Sequence, residues 1–195
     1  MIKVNDSIFI YNINNREHYE HILVNVKSKK QKVYFGNLNK RLKKVKKGYH
    51  TKFNQTRLVL KPDRERVAAI YSYLNKFKIY DSKGNLIKEI EIVNEAFKDK
   101  TNLMNPFLHF MFNSETIATG KYIYILNPNI SFEDRSQDYK YPNSSISVWD
   151  WNGNPIAKYT LDQPISSFDI SEKYNKIFAV STIRQNVIYE YVLPI

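Results

Sequence analysis

Apolar and polar residues alternate through short runs of this chain, and turn-forming residues separate the runs. The clearest example is "SVWDWNGNPIAKYTL" (147–161), where two alternating halves flank Asp-Trp-Asn-Gly. A gapless partner lies at "KIYDSKGNLIKEIEI" (78–92): Tyr80 falls on Trp149, Asp81 on Asp150, Gly84 on Gly153, Asn85 on Asn154. Period-two alternation specifies strands with one face buried. Asp at the first turn position can accept local backbone N–H groups. Gly at the fourth can take the positive φ that a type I turn with a G1 bulge requires. Both stretches therefore predict antiparallel hairpins, with Asp81, Gly84, Asp150 and Gly153 as structural turn residues.

Other runs fall into the same order. "TRLVLKPDRERVAAIYSY" (56–73) reads as strand, Pro-Asp turn, strand, directly ahead of the first hairpin. "FLHFMFNSETIATGKYIYIL" (107–126) supplies such a pair ahead of the second, with "LHFMF" as the innermost strand. "SSFDISEKYNKIFAVST" (166–182) repeats the form before "NVIYEYVL" (186–193), and "SIFIYNI", "HILVNV" and "KVYFG" open the chain. The expectation is one all-β domain over 1–195 in four units, 1–37, 55–92, 107–161 and 165–195. The first unit lacks its first strand and the last lacks its fourth. Repeated four-stranded antiparallel meanders are the signature of β-propeller blades, here incomplete or four-bladed. Gly84 and Gly153 lie 69 residues apart, longer than one blade, and "NPNISFEDRSQDYKYPNSS" (127–145) accounts for the excess as an insertion.

The segment from "ISVWDWNGNPIAKYTLDQPISSFDIS" to the terminal "IYEYVLPI" resembles the C-terminal end of the TolB-like six-bladed propellers of Bacteroidetes. The residues carrying the likeness are Trp149, Asp150, Gly153, Asn154, Pro155, Leu161, Asp162 and Ile165. The resemblance covers nearly the whole chain and is specific over 144–195. It implies a lipoprotein-like binding or scaffold propeller of the cell envelope or periplasm. A six-bladed ring needs roughly 250–350 residues at ~40–50 per blade, so the chain reads as a member lacking N-terminal blades. Its unpaired edge strands would then offer self-association.

Composition narrows the alternatives. At 43% hydrophobic and 14% aromatic residues the chain is not disordered. No apolar run approaches the ~20 residues of a membrane span, and "MIKVND" turns polar too early for a signal segment. Read as it stands, the chain is expected to be soluble and unexported, an expectation that a start inside a longer gene would also produce. It has no cysteine, hence no disulfide or thiolate chemistry.

The net charge of +11 is concentrated: residues 21–62 hold thirteen Lys or Arg and no acid. Within the basic 27–52 segment, Lys40, Arg41, Lys43, Lys44, Lys46, Lys47 and Tyr49 are candidate contacts for a polyanion. No nucleic-acid motif accompanies them, so nucleic acid is the less favoured partner and a solvated connector the simpler reading.

Candidate chemistry is sparse. "DWNGN" fails the calcium-loop pattern because Pro155 and Leu161 stand where Gly and Glu are needed. "HYEH" (18–21) has no third zinc ligand nearby and reads as a surface loop. Asp169 and His109 fall on predicted innermost strands and are the weak metal candidates of a lactonase-like hydrolase reading, but "RLVL" and "LHFMF" supply no further carboxylate. No catalytic residue, metal or cofactor is assigned. In a propeller, the loops from second to third strand and from blade to blade leave by one face. That face would gather the variable segments, with Phe132, Glu133, Asp134, Tyr139 and Tyr141 opposite the basic run. The expected function is a non-enzymatic module binding a protein, glycan or small molecule there.

Overall fold

The computed structural model describes residues 1–13, 19–28, 32–37, 53–92, 110–128, 130–131, 141–184 and 186–193. Their architecture is all-β. The first antiparallel sheet runs β1 (Ile2–Lys3), β2 (Ile8–Asn12), β3 (Tyr19–Asn25), β4 (Lys32–Asn37), and the second β5 (Thr56–Leu60), β6 (Arg66–Tyr71), β7 (Lys76–Asp81), β8 (Leu86–Glu91). A two-stranded ribbon pairs β9 (Phe110–Met111) with β12 (Ile130–Ser131). The third sheet runs β10 (Glu115–Ala118), β11 (Tyr122–Asn127), β13 (Ser145–Asp150), β14 (Pro155–Thr160). The last runs β15 (Ile165–Ser171), β16 (Lys176–Ser181), β17 (Ile188–Val192). The first strands lie side by side in the order β1, β5, β10, β15, as blades about a common axis do. We number the four sheets blades 1 to 4.

Two strand expectations are corrected. Blade 1 has a first strand after all: Ile2 pairs Ile10 and Lys3 pairs Phe9. Two residues are too few to show alternation, and the turn is set by Asn5, whose Oδ1 accepts the Ser7 and Ile8 N–H groups. The innermost strand of blade 3 is Glu115–Ala118 rather than "LHFMF", whose Phe110–Met111 pairs instead inside the ribbon. The aromatic run carried the stronger alternation, while "ETIA" is held by its pairing with β11.

Central strands read as continuous apolar runs because both faces are covered. In β6, Val67 and Ala69 join the core with Ile10, Leu23 and Phe35 of blade 1, while Ala68 and Ile70 join Ile123, Ile125 and Trp151 of blade 3. In β11, Tyr124 and Leu126 face the other way, onto Phe168, Ile177 and Ala179 of blade 4. Each seam is thus a sheet-on-sheet core built from alternate residues. Blade 4 repeats the pattern on its inner side only. Ile188 holds the register of Ile146, which is fully buried, yet Ile188 is 71% exposed.

The repeated turns share one geometry. Asp81 N–H donates to Asn85 O (3.0 Å) and Gly84 N–H to Asp81 O (3.1 Å); Asp150, Asn154 and Gly153 repeat both bonds at 3.0 Å. Gly84 (φ 90°) and Gly153 (φ 77°) occupy the left-handed region, and the pairing beside each turn shifts register by one residue, between Ile79 and Tyr80 and between Val148 and Trp149, leaving Ile87 and Ile156 as the extra residues on the outgoing strands. The aspartates close the turn. Asp150 Oδ1 accepts the Asn152 and Asn154 N–H groups at 2.8 Å, and Asp81 does the same for Lys83 and Asn85.

Candidate ligand-binding end of the blades

Strand direction sorts the connections onto two ends. The tight turns at 61–65, 82–85, 151–154 and 172–175 occupy one end. The opposite end receives the connections after β2, β4, β6, β8, β11, β14 and β16. Its described part is polar but tightly bonded. Asn12 at the end of β2 donates to Thr56 O (2.7 Å), and its Oδ1 takes His21 Nδ1–H (3.0 Å). Asn113 donates to Tyr71 O and Asn127 to Phe112 O, tying blades 2 and 3 together.

Beneath this end the seam of blades 1 and 2 holds a buried charge cluster. Glu20 Oε2 accepts from Lys78 Nζ (3.0 Å) and from the Tyr71 hydroxyl. His21 Nε2 lies 3.9 Å from the same oxygen. Lys76 sits over the Tyr71 ring, 4.4 Å from its centroid, and pairs with Glu89 at 3.2 Å. Burial lowers the His21 imidazole to about 3, helped by the Lys78 charge, so His21 is neutral with Nδ1 protonated. Burial and the Glu20 charge push Tyr71 and Tyr80 upward, and burial with the Lys78 charge lowers Lys76. Glu20 Oε1, His21 Nε2 and the Tyr80 hydroxyl are buried without a hydrogen-bond partner among the described residues. "HYEH" is corrected here: His21 is fully buried on β3 rather than in a surface loop, and His18 lies outside the described residues. Nothing in the alternation distinguished Glu20 or Lys78, because two charges meeting across two sheets are a long-range fact.

Between blades 3 and 4 the same end opens into a cleft of about 270 Å³. Pro128, Pro142 and Pro164 wall it with Tyr141, and Ser166 and Thr182 edge it with hydroxyls. Three proline rings make rigid apolar walls that carry no N–H of their own, so the cleft offers flat surfaces, a phenol ring and the Thr182 hydroxyl, while the Ser166 hydroxyl donates to Val180 O at 3.2 Å and keeps its acceptor lone pairs. Ser144, at its base, is already committed to the Ile165 N–H at 2.8 Å.

Of the residues expected in ligand contact, Tyr141 is brought to this cleft. Lys40, Arg41, Lys43, Lys44, Lys46, Lys47, Tyr49, Phe132, Glu133, Asp134, Tyr139 and His109 lie outside the described residues. Asp169 is exposed, and its Oδ1 accepts the neighbouring Ile170 N–H at 2.8 Å. The inner-strand carboxylate missed from sequence is Glu115, displaced from view by the misplaced strand. Its Oε2 accepts the Phe168 N–H at 3.0 Å and links blade 3 to blade 4. Among the described residues no three acidic, His or Cys side chains gather as a metal-holding group, so the hydrolase reading has no described ligand set.

Successive four-stranded meanders with adjacent inner strands and one loop-bearing end define a β-propeller. Residues 1–173 match the family described as TolB-like 6-blade propeller-like, and the chain belongs to that family. Its fold is similar to a putative 6-phosphogluconolactonase from Bacteroides uniformis (TM-score 0.54, 12% identity, 95% of this chain and 47% of that one). A putative 6-phosphogluconolactonase from Bacteroides fragilis is also similar (TM-score 0.49, 9% identity, 94% and 49%). The chain spans about half the length of these structures. No curated protein matches it. TolB-like propellers are in general periplasmic, and among the described residues no helix is long and apolar enough to cross a membrane.

Proposed function

We propose that the chain is a non-enzymatic binding module of the cell envelope that holds its ligand at the loop end of blades 3 and 4. The observation behind this reading is the proline-walled cleft with Tyr141 in it. It lies where the long connections leave a scaffold otherwise locked by cross-blade hydrogen bonds, and recognition residues concentrate on such loops. The walls suit an extended segment of a partner protein, lying with apolar side chains on the prolines and backbone groups toward Ser166 and Thr182.

The test is a peptide-library screen with the full chain, run beside an oligosaccharide library. Peptide hits should weaken at least fivefold on Tyr141→Ala and on replacing 132–140 by a short Gly-Ser turn. Hits indifferent to both changes, or hits confined to oligosaccharides, would overturn the peptide reading.

A second reading is polyanion binding through the 27–52 segment, favoured by the concentration of thirteen basic residues without an acid in 21–62. Retention on heparin would then fall steeply with salt and collapse when Lys43, Lys44, Lys46 and Lys47 are changed to Gln.

A further inference from the structure

The seam between blades 2 and 3 contains a second cavity, of about 360 Å³. It is closed toward the tight-turn end, where Gly153 packs on Ile90 and Trp151 donates its indole N–H to Thr119 O at 3.0 Å. Farther along, Trp149 stands edge-on to Phe77 with centroids 5.1 Å apart. Trp149, Phe112, Ile92 and Ile156 form the apolar walls.

The opening has a counterpart in the adjacent seam, where it is filled. Tyr80 opposite Val67 corresponds to Trp149 opposite Ile123, and Lys78 opposite Ala69 corresponds to Ser147 opposite Ile125. In the seam of blades 1 and 2 the Lys78 side chain fills the position, and Glu20 neutralises it. In the next seam the short Ser147 leaves the space empty. A cation is still present: Lys158 is paired with Ser147 in register on β14 and lines the same cavity. Lys158 is exposed and has no acidic partner among the described residues. The Trp149 indole N–H on the neighbouring wall is buried without an acceptor among the described residues.

We propose that this cavity binds a compact apolar carboxylate, an aromatic or branched aliphatic acid. Its carboxylate would do for Lys158 what Glu20 does for Lys78, and its body would lie against Trp149 and Phe112. The volume falls in the range of small-molecule sites, which begins at about 300 Å³, and a mostly apolar lining with few polar groups is their usual make-up. The site is separate from the Tyr141 cleft and does not depend on it.

The experiment is titration of the full chain with 3-phenylpropionate, followed by calorimetry and by backbone and indole NMR shifts. Saturable binding is expected, with shifts centred on Trp149, Ser147 and Ala157. Lys158→Gln should weaken the acid about tenfold and leave the neutral 3-phenylpropanol unchanged. Ser147→Leu, checked for an unchanged melting temperature, should abolish both. The idea is overturned by an absence of saturable shifts at millimolar acid. It is equally overturned if wild-type protein binds the alcohol as tightly as the acid, or if Lys158→Gln has no effect.

Discussion

Gly153 lies against Ile90 so closely that a β-carbon added to it would stand 2.8 Å from Ile90 Cδ1. One residue therefore serves the turn of blade 3, through its positive φ, and the packing of blade 3 on the outer strand of blade 2. Gly84 repeats the relationship against the Phe35 ring at 3.0 Å, one seam earlier.

Gly153→Ala combines left-handed strain of roughly 1–2 kcal/mol with overpacking of roughly 1–3 kcal/mol. Urea unfolding should show a loss of about 2–5 kcal/mol. Adding Ile90→Ala should return part of the overpacking cost, so the double variant will be less damaged than the sum of its parts. Strict additivity would show that the contact is not the cause.

The Glu20–Lys78 pair gives a sharper test. Removing one partner of a buried ion pair costs roughly 3–5 kcal/mol, because the other charge stays buried alone. Glu20→Gln and Lys78→Met should each fall in that range. The double variant should recover most of one loss, since no uncompensated charge remains; a double loss near the simple sum would disprove the coupling.

His21 ties stability to acid. Its folded pKa, lowered to about 3 by burial and by Lys78, lies below the unfolded value near 6.5. A proton binds more readily to the unfolded chain between those values. The stability His21 contributes is complete above about pH 6.5 and is lost as pH falls toward 3, at about 1.4 kcal/mol per pH unit. Unfolding free energies of wild type and His21→Gln measured from pH 7.5 to 4 should converge on acidification. Parallel curves would show that the imidazole does not carry the effect.

The turn aspartates act lower on the pH scale. Partial burial tends to raise the Asp150 carboxyl, but hydrogen bonds from Asn154 and Asn152 outweigh it and hold it below the usual carboxylate range; Asp81 is held likewise by Asn85 and Lys83. Their contribution is present above the ordinary carboxylate value and is lost as pH falls through the lowered one. Asp150→Ala should cost about 1–2 kcal/mol at neutral pH, by the loss of two backbone bonds to a charged acceptor. Asp150→Asn, which keeps an acceptor oxygen, should cost less, and the difference between the two is read from urea midpoints.

Local order was legible because it is local. Asp81, Gly84, Asp150 and Gly153 announce their hairpins through residue type and spacing alone, and runs such as "VAAIY" and "YIYIL" mark central strands covered on both faces. The two-residue β1 was missed because pairing with β2, not sequence pattern, makes it a strand. At the start of blade 3 the aromatic "LHFMF" outcompetes "ETIA" as a strand signal, so Glu115 on the true inner strand does not stand out in the sequence. Of the expected ligand residues, Tyr141 lines a described cleft because Pro128, Pro142 and Pro164 from three separate segments converge on it.

The amino-acid order by itself determined the hairpin turns, the central strands, the four-unit repeat and the family, since each depends on periodicity and on backbone preferences over a few residues. Tertiary structure alone decided which side chains meet across the seams. Burial of Glu20 with Lys78, the pairing of Gly153 with Ile90, and the cavity left where Ser147 replaces a lysine all arise between blades. Those contacts depend on how sheets stack, and no local pattern encodes the partner that a side chain finds in the next sheet.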